Sequence, residues 1–363
     1  MISSSPEGAE VEPESHRSRP PMTVVVTIQH PAHVHFFRNA IAELESRGHE
    51  VHVFARQKDI AIDLLEAYDI DYTVLAGRIE SMRDLPVVQG KYELNLLRKA
   101  ARLDPDLMMA IGEPGVAHVG TVLSCPSLLF ADTETSKLQK RISVPFADRI
   151  CTPDCYTLDH GHKQVRYPGY HELAYLHPDR FTSDPDVLTR IGATPEDSLV
   201  ILRMVSWGAV HDIGDSGFGD IRSVIDRLEA KGARVLITAE DDLPPELDGY
   251  RIDAGPEQIH HLMAYADLFI GESATMATES AVLGTPAVFV SSSTRGYTDE
   301  LESRYELVYN FSGENRQRRA LETAEAILDR DRSVYESRRE TMLEEKIDTT
   351  WFQLQQIEAL CRA

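Results

Sequence analysis

LFIGESATMATESAVLGTPAVFV, residues 268–290, is the stretch whose reading decides the fold. Residues 268–270 are an apolar run of strand length, Gly271 to Ser273 form a polar turn, and good helix formers follow until Gly284 stops them. Pro286 then leads into a second strand at 287–290. Strand, helix and strand in that order make a βαβ unit, which calls for a parallel sheet. A helix start that follows a strand in such a sheet offers unpaired amides and the positive end of a dipole, which suits a phosphate. Ser273 therefore marks a candidate anion site, and Glu279, six residues on, is a carboxylate able to accept from sugar hydroxyls. The alternative is that Ser273 is only a cap and Glu279 a solvated helix residue.

The same alternation runs along the chain in both directions. Upstream, 24–28, 51–54, 72–75, 107–111 and 127–130 read as buried strands. Between the first two, Val34, Phe37, Ile41 and Leu44 recur at helical spacing, with Phe36 and Ala40 beside them and Gly48 at the C-terminal end. A Pro- and charge-rich connection, TSDPDVLTRIGATPEDS at 182–198, separates this series from a second one. That series has strands at 199–204, 235–238, 268–270 and 287–290, and helical patterns at 221–231 and 259–266. The expected fold class is α/β: two tandem Rossmann-like, doubly wound domains. The boundaries expected are a disordered acidic tail at 1–21, a first α/β domain at 22–180, a second at 181–336 and a C-terminal helix at 337–363. Leu343, Ile347, Trp351, Leu354 and Ile357 form the apolar stripe of that helix, so it should pack across a domain surface. The tail is rich in Ser, Pro and Glu, and cannot offset the entropy of ordering.

The 363 residues carry 37 Lys plus Arg against 59 Asp plus Glu, a net charge of −22. A polyanion would be repelled, so nucleic acid is not an expected partner. Only 8 of the basic residues are lysine, and an acidic, lysine-poor surface suits concentrated salt, where repulsion is screened. An ordinary acidic enzyme from a GC-rich genome is the alternative. If the halophilic expectation holds, the thermal midpoint rises between dilute buffer and molar KCl, and a flat midpoint overturns it. No run of 18 apolar residues suggests a transmembrane helix, and no secretory signal is visible. Four cysteines are too few for a disulfide framework, and the spacing of Cys151 and Cys155 is not that of a zinc site. A reduced cytoplasm and no bound metal are expected.

Three further stretches carry candidate chemistry. TIQHPAHVHFF at 27–37 places three histidines at the end of the first strand, where ligands of open α/β sheets sit. His33 and His35 are the candidate catalytic residues there, as base or as donor to a developing charge, with capping, packing or a metal as the alternatives. LVILRMVSWGAVHD at 199–212 interrupts an apolar strand with Arg203, which must reach an anion, the cleft or a structural carboxylate such as Glu240. Trp207, His211 and Asp212 follow in its turn, and Trp207 and His211 join Arg203 as candidate substrate contacts. FADTET at 130–135 puts Asp132 and Glu134 after a strand, either facing the cleft, with Glu134 a third catalytic candidate, or capping the next helix. GxGxxG, P-loop, HExxH and GxSxG motifs are absent, which removes support for nicotinamide, ATP-hydrolysis, zincin and α/β-hydrolase chemistry.

Two tandem α/β domains, a histidine in the first βα turn and a Ser-x5-Glu helix in the second resemble the GT-B glycosyltransferases and the non-hydrolysing UDP-N-acetylglucosamine 2-epimerases. HPAHVHFFRNAIAELESRGHEV, FADTE, VSWGAVHD and IHHLMAYADLFIGESATMATESAVLGTP more closely resemble the uncharacterised domain-of-unknown-function family 354, found mostly in archaea, over about 23–309. The resemblance implies that Ser273 and the amides of Ala274 and Thr275 hold a nucleoside diphosphate, that Glu279 holds the ribose and that Arg203 approaches the diphosphate. It also implies acceptor activation by His33, although QHPAH stands where MurG-like transferases have a glycine-rich turn. The function expected is sugar transfer from a nucleotide-sugar donor, without metal or other cofactor, to an unknown glycan, lipid or small-molecule acceptor, with peripheral membrane contact allowed. A UDP-sugar 2-epimerase or a catalytically silent sugar-nucleotide-binding protein are the alternatives.

Overall fold

Runs such as TVVVTI have no polar face to turn to water, so they form strands covered on both sides. The computed structural model describes residues 20–57, 59–77, 85–135, 137–204, 221–239, 243–252 and 254–362. Nearly all of the expected tail lies outside them, as do Trp207, His211, Asp212 and Glu240. Seven strands make the first sheet: β1 (Thr23–Ile28), β2 (Glu50–Arg56), β3 (Tyr72–Ala76), β4 (Leu107–Ile111), β5 (Ser127–Phe130), β6 (Arg149–Pro153) and β7 (Gln164–Tyr167). Their order is β3-β2-β1-β4-β5-β6-β7. The second sheet holds β8 (Leu199–Met204), β9 (Arg234–Ala239), β10 (Leu268–Gly271), β11 (Ala287–Val290) and β12 (Val308–Phe311), in the order β12-β11-β10-β8-β9. Every pair is parallel, with Val24 beside both Val51 and Leu107, and Ile270 beside both Leu202 and Val288.

Helix Pro31–Ser46 follows β1 with Pro31 at its start and the His30 side chain accepting from the Ala32 amide at 3.2 Å. Its apolar face buries Val34, Phe36, Phe37, Ala40, Ile41 and Leu44, and Gly48 takes the left-handed conformation, φ +82°, that ends the turn without a Cβ clash. Strands β6, β7 and β12 go beyond the sequence expectation. RICTP, QVRY and VYNF are short and mix polar with apolar residues, and β7 and β12 are sheet edges, so neither periodicity nor a long apolar run announces them.

The C-terminal segment packs across a domain surface, but as two helices, Ser333–Glu345 and Thr349–Leu360. Asp348 caps the second by accepting from the Thr350 and Trp351 amides at 2.8 and 3.2 Å. This break shifts the helical phase, so Trp351 leaves the expected stripe and is 53% exposed, while Phe352 stacks on Tyr167 with centroids 4.5 Å apart. The last helix lies against the first domain: Thr349 Oγ1 donates to Tyr170 O (2.7 Å), Thr350 Oγ1 to Ala174 O (2.7 Å) and Gln353 Nε2 to Phe36 O (3.0 Å). Arg180 adds ion pairs to Glu43 and Asp348 at 3.0 and 2.7 Å. No helix among the described residues is long and apolar enough to cross a membrane.

Candidate functional site

The carboxyl ends of β5, β6 and β11 meet where the chain after Phe130 touches the helix Gly296–Ser303. A Cβ on Gly296 would stand 2.2 Å from the Cys155 carbonyl oxygen and 2.8 Å from Glu134 Oε1, so only glycine allows the approach. The candidate site is thus built from both sheets.

On the second sheet, Ser273 is the N-cap of helix Ala274–Leu283, with its Oγ accepting from the Met276 amide at 3.3 Å. The amides of Ala274 and Thr275 belong to the first turn, which no carbonyl four residues back can satisfy. Arg203 on β8 is in register with Gly271 on β10 and Thr238 on β9, and its Nη1 donates to Thr238 Oγ1 at 3.1 Å. A Cβ on Gly271 would fall 2.6 Å from the Arg203 carbonyl oxygen, so glycine there keeps Arg203 beside the turn that leads to Ser273.

Glu279 is 4% exposed, which excludes the solvated-helix alternative. Its Oε1 accepts from the Tyr175 hydroxyl at 2.7 Å and lies 2.9 Å from His260 Nε2. Tyr175 comes from the short helix Leu173–Leu176, and His260 from helix Ile259–Tyr265. The His35 ring joins them, 4.7 Å from His260 and stacked on Tyr175 at 5.2 Å. Burial first, then the neighbouring His260, Arg38 and His30, holds the His35 pKa well below its ordinary value of 6.5. A cavity of about 240 Å³ opens beside this cluster, lined by Arg38, Tyr68, Phe181, Arg190, His260 and His261 among others.

The three residues expected to be catalytic do not converge. His33 Nδ1 accepts from the Gln29 amide at 3.4 Å, while His35 packs in the aromatic cluster. Glu134 accepts from Thr157, at 3.2 Å from its amide and 3.3 Å from its hydroxyl. Its neighbour Asp132 pairs instead with His171, whose Nδ1 lies 3.1 Å from Asp132 Oδ2 and whose ring rests on Phe36 with centroids 4.4 Å apart. Burial raises the Asp132 pKa, but the charge and hydrogen bond of His171, with Thr133, outweigh it and hold the carboxyl at about 2.

Glu113 is a carboxylate that the sequence reading passed over. It stands at the N-cap position of helix Pro114–Leu123, at the end of β4, where its side chain makes no hydrogen bond to the helix amides, and is 1% exposed. Its Oε2 accepts from Thr27 Oγ1 at 2.5 Å and from the Tyr92 hydroxyl at 3.3 Å. Burial pushes its pKa up to about 7 against the lowering effects of Thr27, Arg56 and Tyr92. An acidic residue between a strand and a proline-led helix, IGEPG, was the available signal. Nothing local to the chain announces His171, Tyr175 or His260.

Among the described residues, Gln29 Nε2, Glu113 Oε1, Glu134 Oε2, Tyr167 Oη and His171 Nε2 are buried without a hydrogen-bond partner. All five side chains sit at or just beyond the carboxyl ends of β1, β4, β5 and β7. An unpaired buried polar group costs about 1–3 kcal/mol, and the five fall in two groups: Gln29 and Glu113 beside Tyr92, and Glu134, Tyr167 and His171 around Asp132.

Residues 22–308 match the family described as a protein of unknown function, DUF354. An uncharacterised protein of Methanocaldococcus jannaschii is 21% identical over 282 residues, 74% of this chain and 81% of that protein. The S. aureus MnaA–UDP co-structure superposes with a TM-score of 0.66 at 10% identity, covering 91% of this chain and 93% of that one. UDP-GlcNAc 2-epimerase from Neisseria meningitidis bound to UDP-GlcNAc gives 0.64 at 13%, covering 93% and 100%. The Streptomyces glycosyltransferase SsfS6 gives 0.60 at 15%, covering 92% and 99%. What these enzymes share with the chain is the GT-B arrangement of two Rossmann-like domains.

Proposed function

The chain belongs to the DUF354 family of proteins of unknown function, and from that membership and its GT-B fold we propose that it is a nucleotide-sugar-dependent glycosyltransferase working in the cleft between its two domains. The observation that carries this reading is the Ser273-capped helix start at the end of β10, with Arg203 alongside and Glu279 buried in the same helix. First-turn amides and a guanidinium supply positive potential where the diphosphate of a donor gains charge as its bond to the sugar breaks. Both hydrogen bonds to Glu279 fall on Oε1, and Oε2 is the oxygen assigned to the ribose hydroxyls. In this reading His33, at the end of β1, belongs to the acceptor side.

A UDP-sugar 2-epimerase is the second reading. The observation favouring it is Glu113, a buried carboxyl with a pKa raised to about 7, which suits proton transfer near neutral pH. Incubation with UDP-sugars labelled in the sugar separates the readings. Transfer moves label to an acceptor, epimerisation keeps it on the nucleotide in a changed sugar, and a binding protein returns the donor unaltered. Transfer to an acceptor is the expected result, and label that stays on the nucleotide in an epimerised sugar overturns it.

A further inference from the structure

We propose that the acceptor is a saccharide, bound at the carboxyl end of the first sheet, and that the Asp132–His171 pair takes the proton of its attacking hydroxyl. The proposal rests on the transferase reading and names the acceptor class and the base for it. The unpartnered atoms around Asp132 are of both kinds: Glu134 Oε2 and His171 Nε2 accept, and the Tyr167 hydroxyl donates or accepts. A sugar hydroxyl also donates and accepts, and a saccharide presents several on a rigid ring. An alkyl or aromatic acceptor would leave most of these buried groups unpaired, which is how a polar site rejects an apolar ligand.

The pairing of His171 specifies its role. Asp132 accepts from Nδ1 at 3.1 Å, which leaves Nε2, buried and unpartnered, as the ring atom that takes the hydroxyl proton. Phe36 fixes the ring plane, and Asp132, ionised throughout the neutral range, stabilises the imidazolium once it forms. In the step, the acceptor oxygen bonds to the anomeric carbon and its proton passes to His171 Nε2. The bond from that carbon to the diphosphate oxygen breaks, and its electron pair leaves on the nucleoside diphosphate. Water then takes the proton from His171. Neither His33 nor Glu134 is needed as base.

The test uses the full chain, UDP-sugars labelled in the sugar, and two acceptor sets: free hexoses with disaccharides, and n-alkanols. Transfer to saccharides and not to alkanols is expected. His171→Ala should lower kcat by about 10²- to 10⁴-fold while UDP affinity by calorimetry stays within about twofold, and added imidazole should restore part of the rate. His171→Gln, which keeps a donor for Asp132, reports the same loss if the alanine variant folds poorly. Wild-type transfer with kcat retained in both variants overturns the base and leaves the transferase reading standing. Preference for alkanols overturns the saccharide acceptor, and a wild type that transfers to nothing overturns the transferase reading itself.

Discussion

Glu279→Gln should weaken binding of a nucleoside diphosphate by about ten- to a hundredfold, as calorimetry would read it. A charge-assisted hydrogen bond is worth roughly 1.5–3 kcal/mol, and each 1.4 kcal/mol is about tenfold in affinity. Glutamine keeps the volume and one carbonyl acceptor for the Tyr175 hydroxyl, but it replaces the charged oxygen assigned to the ribose with an amide that donates. A 2′,3′-dideoxy nucleotide should bind the wild type weakly and the variant about equally weakly, because the missing hydroxyls and the missing charge remove one interaction. Ser273→Ala, acting at the helix start, should weaken the diphosphate more than the free nucleoside. Unchanged affinity in folded Glu279→Gln protein would confine this glutamate to holding Tyr175 and His260, and the nucleotide would have to bind elsewhere.

Glu113→Gln should make the protein more stable at pH 8, relative to wild type, than it does at pH 4. The Glu113 carboxyl has a pKa of about 7 in the folded protein against an ordinary value of 4.5. Below 4.5 both folded and unfolded chains hold the proton, and burial of the neutral group carries no charge penalty. As pH rises, the unfolded chain ionises first, so stability is lost progressively up to about pH 7 and stays lost above it. A gap of that width corresponds to about 3 kcal/mol, at 1.36 kcal/mol for each pH unit. Glutamine has no proton to lose and removes this slope while keeping an acceptor for Thr27 Oγ1. Urea unfolding of the two proteins across pH 4 to 8 measures the difference, and parallel curves would show that Glu113 is not the group responsible.

Features whose cause is local were legible in the chain. The βαβ order, the strands around 24–28, 107–111 and 199–204, and the helix that Ser273 opens and Gly284 closes follow from runs, spacings and caps. These act over three or four residues, and the Ser273 cap joins its oxygen to an amide only three residues on. The polar company of those residues was decided by the fold. Glu279 meets a tyrosine 104 residues away in sequence, and Asp132 leaves its neighbour Glu134 and pairs with His171 beyond two further strands. The break that turns Trp351 outward is set by the fit of the last helix against Tyr167, Tyr170 and Ala174 of the first domain. Parallel strands need long crossovers, so residues at neighbouring strand ends are far apart in the chain, and their hydrogen bonds form only once the sheets are assembled. A carboxylate's partner, and with it the choice between a solvated helix residue, a buried anchor and a base held by an anion, is therefore written in the tertiary structure alone.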